Sequence, residues 1–160
     1  MDDALALAVG HHQSGELPQA EAIYRQILEA DSRHPDALHL LGVVARQMGQ
    51  NDAAIELISK AIQARPNFTE AYSNLGNALK DLGRVKDAIL SYRKAIELKP
   101  DLAEAHYNMG TALQQLGDLQ SAITSYQTAL ELRPDYVQAL SNLGNAHKDL
   151  RQFEEARRAY

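Results

Sequence analysis

The sequence predicts an all-α chain, a solenoid of stacked antiparallel helical hairpins, and three observations predict it. Glycines at 42, 76, 110 and 144 fall 34 residues apart, and alanines at 20, 54, 88, 122 and 156 and prolines at 66, 100 and 134 keep the same step. Residues 69–102 and 103–136 agree at 17 of 34 positions, among them Asn74 with Asn108 and Tyr92 with Tyr126. Within each period the apolar residues twice follow the spacing of one helical face.

Setting Gly42 at position eight divides the chain into units 1–34, 35–68, 69–102 and 103–136 and a partial unit 137–160, all read as one array. The first helix of a unit rests on positions four, seven, eight and eleven, as in Tyr72, Leu75, Gly76 and Leu79. A glycine follows near position fifteen, at 15, 49, 83 and 117, where a helix end favours a left-handed residue. The second helix rests on positions 20, 21, 24, 27 and 28, as in Ala88, Ile89, Tyr92, Ala95 and Ile96. It stops at a Pro-Asp pair, Pro100-Asp101 or Pro134-Asp135. Gly76 lies inside its helix at a cost of about 1 kcal/mol relative to alanine, so close approach of the two helices at Gly76 and Ala88 is expected in return. The tyrosines at 24, 92, 126 and 160 are expected in the core. The fifth unit is expected to end partway through its second helix, with its last apolar face uncovered.

Composition narrows the function classes. The 160 residues carry a formal charge of -5 with acids and bases interspersed, so the basic footprint of a nucleic-acid binder is missing. There is no cysteine, which removes disulfides, thiolate metal sites and thiol nucleophiles. The run Ala4 to Val9 lacks the positive lead and the length of a signal peptide, no stretch approaches the roughly 20 apolar residues of a membrane span, and a cytoplasmic location is the default. Adjacent histidines such as His11 and His12 diverge by about 100° on a helix and rarely share a metal, and the pair His34 and His39 is discounted likewise. No phosphate loop, nucleophile elbow or zinc-protease string occurs, so no catalytic residue, metal or cofactor is expected.

The small residue at position eight, alanine at 20, the aromatic at 24, alanine at 27 and proline at 32 resemble the tetratricopeptide repeat, over essentially the whole chain. Unit 1 departs most, with Ala8, Ile27 and Ser32 at three of the diagnostic places. The resemblance implies a right-handed superhelix with the first helix of each hairpin lining a concave groove, through positions two, five, six, nine, twelve and thirteen. Position six reads Leu40, Asn74, Asn108 and Asn142, and position nine reads Val43, Asn77, Thr111 and Asn145. An asparagine amide both donates and accepts, so a row of them can pair with the main chain of a bound peptide whatever its sequence. Arg46, Lys80 and Lys148 at position twelve complete the candidate peptide-binding set. The acids at two and thirteen, including Asp36, Glu70, Glu104, Asp81 and Asp149, read as solvated helix charges.

The asparagine row and the string EAYSNLGNALKDLG are similar to the superhelix of O-linked N-acetylglucosamine transferases, in which such a ladder binds substrate backbone. Chaperone-tail-binding members of the family grip a terminal carboxylate with a lysine at position five, but here that position reads His39, Ser73, Tyr107 and Ser141. Three expectations follow. The first is a non-enzymatic scaffold that takes an extended or helical segment of a protein partner. The second is the substrate-recruiting array of a longer glycosyltransferase whose chemistry lies beyond residue 160. The third is a homo-oligomer formed through the end hairpins, with neither nucleic acid nor membrane as partner in any of them.

Overall fold

The computed structural model describes the backbone of residues 2–159 and the side chains of residues 3–151, so the expectations placed on the side chains of Ala156 and Tyr160 lie outside the described residues. Among the described residues there are nine helices and no strand. They are α1 Asp2–Gln13, α2 Leu17–Ala30, α3 Pro35–Gln47, α4 Asn51–Ala64, α5 Thr69–Asp81, α6 Val85–Leu98, α7 Ala103–Gln115, α8 Leu119–Leu132 and α9 Val137–Ala159. Each of α2 to α8 packs chiefly on the helix before it and the helix after it in the chain, which makes the molecule a helical repeat solenoid.

The hairpin turn is set by glycine. Gly15, Gly49, Gly83 and Gly117 all have φ between 75° and 79°, the left-handed region in which a Cβ is penalised. At the end of α5, Gly83 N–H donates to Lys80 O and Arg84 N–H to Leu79 O, each at 2.9 Å, and α1, α3 and α7 end in the same pair of bonds. This Schellman arrangement satisfies carbonyls that the helix end would orphan and reverses the chain into the next helix. The second helices end differently, at Arg65, Lys99 and Arg133, whose extended backbone suits the proline that follows.

The core lies between the paired helices. Ala20, Ala54, Ala88 and Ala122 are wholly buried, as are Tyr24, Ile58, Tyr92 and Tyr126 at position 24, in agreement with the spacing. Gly76 lies where the two helices of its hairpin approach closely. A Cβ on it would fall 2.5 Å from the Tyr92 ring, and one on Gly110 would fall 2.6 Å from the Tyr126 ring. The missing side chain therefore makes room for an aromatic ring of the opposite helix, and at the equivalent Gly42 an added Cβ would also fall 3.2 Å from the backbone oxygen of Ala54. Two alanine rows that periodicity did not single out are also fully buried, Ala37, Ala71, Ala105 and Ala139 at position three and Ala78, Ala112 and Ala146 at position ten. Leu75 and Leu143, by contrast, are only partly buried against the core.

The fifth unit departs from expectation. No second helix folds back within it, because α9 runs unbroken for 23 residues through the place where a turn would fall. Position fifteen here is Arg151 instead of glycine, so the left-handed turn of the other units is disfavoured and the helix continues. The consequence is visible at Gly144, where an added Cβ would meet nothing within 4 Å.

Candidate functional site

Consecutive first helices touch one another, α3 with α5, α5 with α7 and α7 with α9, whereas consecutive second helices are not in comparable contact. Elements that crowd together lie on the inside of a curve, so the first helices form the inner face of the solenoid. Their polar residues meet across the helix boundaries with a step of 35 residues, one more than the repeat.

Two polar ladders follow from that step. In the first, position five of one unit meets position six of the next. Asn74 Nδ2 lies 2.8 Å from His39 Nε2, and Asn142 Nδ2 donates to the Tyr107 hydroxyl at 3.3 Å. In the second, position twelve meets position thirteen. Arg46 donates to Asp81 at 2.9 Å and Gln114 to Asp149 at 3.3 Å, while His12 lies 2.9 Å from Gln47. The single-residue offset was legible in principle, since a helix stacked beside its copy is shifted along its axis, but a 34-residue alignment conceals it.

The rungs of the first ladder alternate. His39 packs edge-on to Phe68 at 4.7 Å, and Arg65 lies 4.6 Å over the same ring. Two units later Tyr107 packs on Tyr136 at 4.8 Å, with Arg133 at 4.5 Å over that ring. Between them the rung is Ser73 with Asn108, where the matching junction residue is Leu102 and neither a ring nor a stacked guanidinium is present. Ser73 and Asn108 are 7% and 8% exposed, and their side chains make no hydrogen bond to any described residue.

The sequence-designated residues are not equivalent. Asn74 and Asn142 spend an amide N–H on the preceding helix, and their Oδ1 atoms make no hydrogen bond among the described residues. Asn77 accepts the Tyr92 hydroxyl at 2.8 Å, which ties it to the core of its own hairpin. Thr111 donates to the Asn108 carbonyl at 2.8 Å and accepts from Lys80 Nζ at 3.2 Å. Burial pulls the Lys80 ammonium down from its ordinary value, with the Asp81 carboxylate opposing. Arg46 is held by Asp81, while Asn145 and Lys148 are exposed on α9. The acids at position two likewise differ from a uniform solvated row. Asp36 receives two bonds from Arg65, at 2.8 and 2.6 Å, and that partner holds its carboxyl below the usual range.

Each histidine considered as a metal ligand has a partner of its own. His11 meets Glu16, His12 meets Gln47, His34 accepts the Ala37 N–H at the start of α3, and His39 meets Asn74. Burial lowers the His39 pKa to about 4, which keeps the ring neutral and able to share one hydrogen with the Asn74 amide. No helix among the described residues is long and apolar enough to cross a membrane.

Comparisons with known proteins agree with the fold. The family model described as a tetratricopeptide repeat matches residues 11–79 and 45–90, and the one described as a TPR repeat matches residues 76–117 and 112–150. A comparison with curated proteins finds no match. The structure is similar to that of MamA, with a TM-score of 0.80 at 25% identity over 96% of this chain and 97% of that one. It is similar to PilF of Pseudomonas aeruginosa, with a TM-score of 0.87 at 23% identity over 98% of this chain and 72% of that one. It is also similar to the first TPR of Spaghetti bound to an HSP90 peptide, SRMEEVD, with a TM-score of 0.72 at 26% identity over 75% of this chain and 95% of that one. Family models and fold together place this chain in the tetratricopeptide repeat family.

Proposed function

We propose that the chain is a protein-interaction scaffold that takes an extended or helical segment of a partner polypeptide along its first helices, as an array in which units 1–34 to 137–160 act together. The observation that carries this reading is the amide row Asn74, Asn108 and Asn142. Two of its members are oriented by the helix before them, and the third is buried with its amide unspent. Oriented amides lose little side-chain entropy on binding, and each bond to a peptide main chain nets about 0.5–1.5 kcal/mol, so several acting at once give useful affinity. Asn77, Thr111 and Asn145 extend the row along the next turn, and Arg46, Lys80 and Lys148 flank it with positive charge. The similar Spaghetti module is bound to a peptide, which supports a peptide as the ligand class. The absence of lysine at position five argues against a terminal-carboxylate grip here.

The test is the double change Asn108→Ala with Asn142→Ala, measured by fluorescence polarisation against an extended alanine-serine peptide. Binding is expected to weaken by about tenfold or more with the fold intact by circular dichroism. Unchanged affinity removes the amide row from recognition.

A second reading, a substrate-recruiting array of a glycosyltransferase similar to the O-linked N-acetylglucosamine family, is favoured by the string at residues 70–83. Sequencing the parent gene tests it, since a sugar-nucleotide transferase domain needs several hundred further residues. A third, self-association, is favoured by Val137 and Leu140, which are 70% and 51% exposed on α9. Light scattering over a dilution series tests it: a mass that stays monomeric throughout excludes it.

A further inference from the structure

Between α5 and α7 lies a cavity of about 90 Å³ lined by Glu70, Ser73, Asn74, Leu102 and Glu104. It sits at the unclosed rung, where the small Ser73 stands in the place that His39 and Tyr107 fill in the neighbouring units. Three features characterise it chemically. Two of the lining groups are carboxylates, which accept and never donate when ionised. Ser73 is 7% exposed, lines the cavity, and has no hydrogen-bond partner among the described residues. Asn74 spends one of its two Nδ2 hydrogens on His39, and its carbonyl oxygen is a further acceptor. Arg65, the base that feels Glu70, is occupied by two bonds to Asp36 and by the Phe68 ring.

We propose that this cavity is a specificity pocket for a lysine side chain of the bound polypeptide, formed because Ser73 leaves the rung open between Glu70 and Glu104. An ammonium group has three donors and no acceptor, which matches a site made of carboxylates, a hydroxyl and an amide oxygen. The volume suits it as well: about 90 Å³ leaves room for an ammonium and its last methylenes. The apolar Leu102 offers a surface for the methylene stem. A carboxylate in the same place would meet two like charges, against which only the Ser73 hydroxyl and the second Nδ2 hydrogen of Asn74 are neutral donors. This inference rests on the groove reading above and adds to it a sequence preference that the amide row by itself lacks.

The experiment compares two acetylated, amidated nonapeptides of alanine and serine that differ only at the central residue, lysine or norleucine. Both are titrated into the 160-residue chain by fluorescence polarisation and followed by amide chemical shifts. The lysine peptide is expected to bind about tenfold tighter, with the largest differential shifts at Ser73, Glu70 and Glu104. That advantage is expected to vanish in Glu70→Gln with Glu104→Gln. It should vanish also in Ser73→Tyr, a residue that the fold already accommodates as Tyr107, while affinity for the norleucine peptide stays within about twofold. Equal binding of the two peptides to the unaltered chain, with both weakened by Asn108→Ala and Asn142→Ala, overturns the pocket and leaves the groove. A lysine advantage that survives both sets of changes overturns it too. If neither peptide binds at millimolar concentration, the groove reading falls and the pocket with it.

Discussion

The Tyr92 hydroxyl donates to Asn77 Oδ1 at 2.8 Å across its hairpin, whereas the equally buried Tyr24 hydroxyl of the first hairpin has no partner. The first hairpin carries Val9 where the third carries Asn77. Burial raises the pKa of both phenols, so each remains a neutral donor over the working pH range.

Tyr92→Phe should therefore cost about 1 kcal/mol, because it leaves the Asn77 carbonyl unpaired, while Tyr24→Phe should be neutral or stabilising. Urea unfolding of the two variants side by side checks this. Equal losses at both sites would refute the assignment of the Asn77 bond.

Glycine-to-alanine changes should differ in sign along one repeat row. At Gly76 the new methyl meets the Tyr92 ring, which is fully buried and unable to swing away, so a loss of about 1–2 kcal/mol is expected. The low end of that range applies because unit 1 accommodates Ala8 opposite Tyr24. At Gly144 the methyl enters open space in mid-helix, so Gly144→Ala should gain about 1 kcal/mol of helix propensity. Thermal unfolding distinguishes the two directions.

His39 makes stability depend on mild acid. Burial holds its pKa at about 4, against an ordinary 6.5, with the Glu70 and Asp36 carboxylates opposing that shift and Arg65 adding to it. Above about pH 6.5 the ring is neutral in both folded and unfolded chains. As pH falls towards 4 the unfolded chain gains a proton that the folded chain refuses, so stability falls over this window by about 3 kcal/mol. Asp36, which Arg65 holds low, contributes its own loss only at lower pH. His39→Ser should flatten the profile between pH 6.5 and 4, as read from denaturation midpoints across that range.

Leucine truncations should rank by burial. Leu41 is 2% exposed and Leu79 is 5% exposed, so Leu41→Ala or Leu79→Ala should cost about 2–5 kcal/mol through lost transfer energy and a cavity. Leu143→Ala, on the partly covered α9, should cost less. Chemical denaturation of the three variants gives the order.

How much of this could be read from the chain depends on the range of the interaction concerned. Hairpin boundaries, the glycine turns and the buried tyrosine row are set by residues a few positions apart or by one fixed period, and these are legible without any knowledge of the packing. The fully buried alanines at positions three and ten do not stand out in the sequence because alanine is equally at home on an exposed helix. The unbroken α9 needed only one local fact, Arg151 in the glycine position, which the periodic pattern around it outweighed.

The inner face was legible as a row of residue types and no further. That Asn74 pairs with His39, that Asn77 belongs to Tyr92, and that Ser73 leaves an opening between Glu70 and Glu104 were decided by the tertiary structure. The reason is the axial shift between neighbouring hairpins, which moves polar partners one position off the repeat. A side chain's reach across that shift, long in His39 and Tyr107 and short in Ser73, then decides which rungs close.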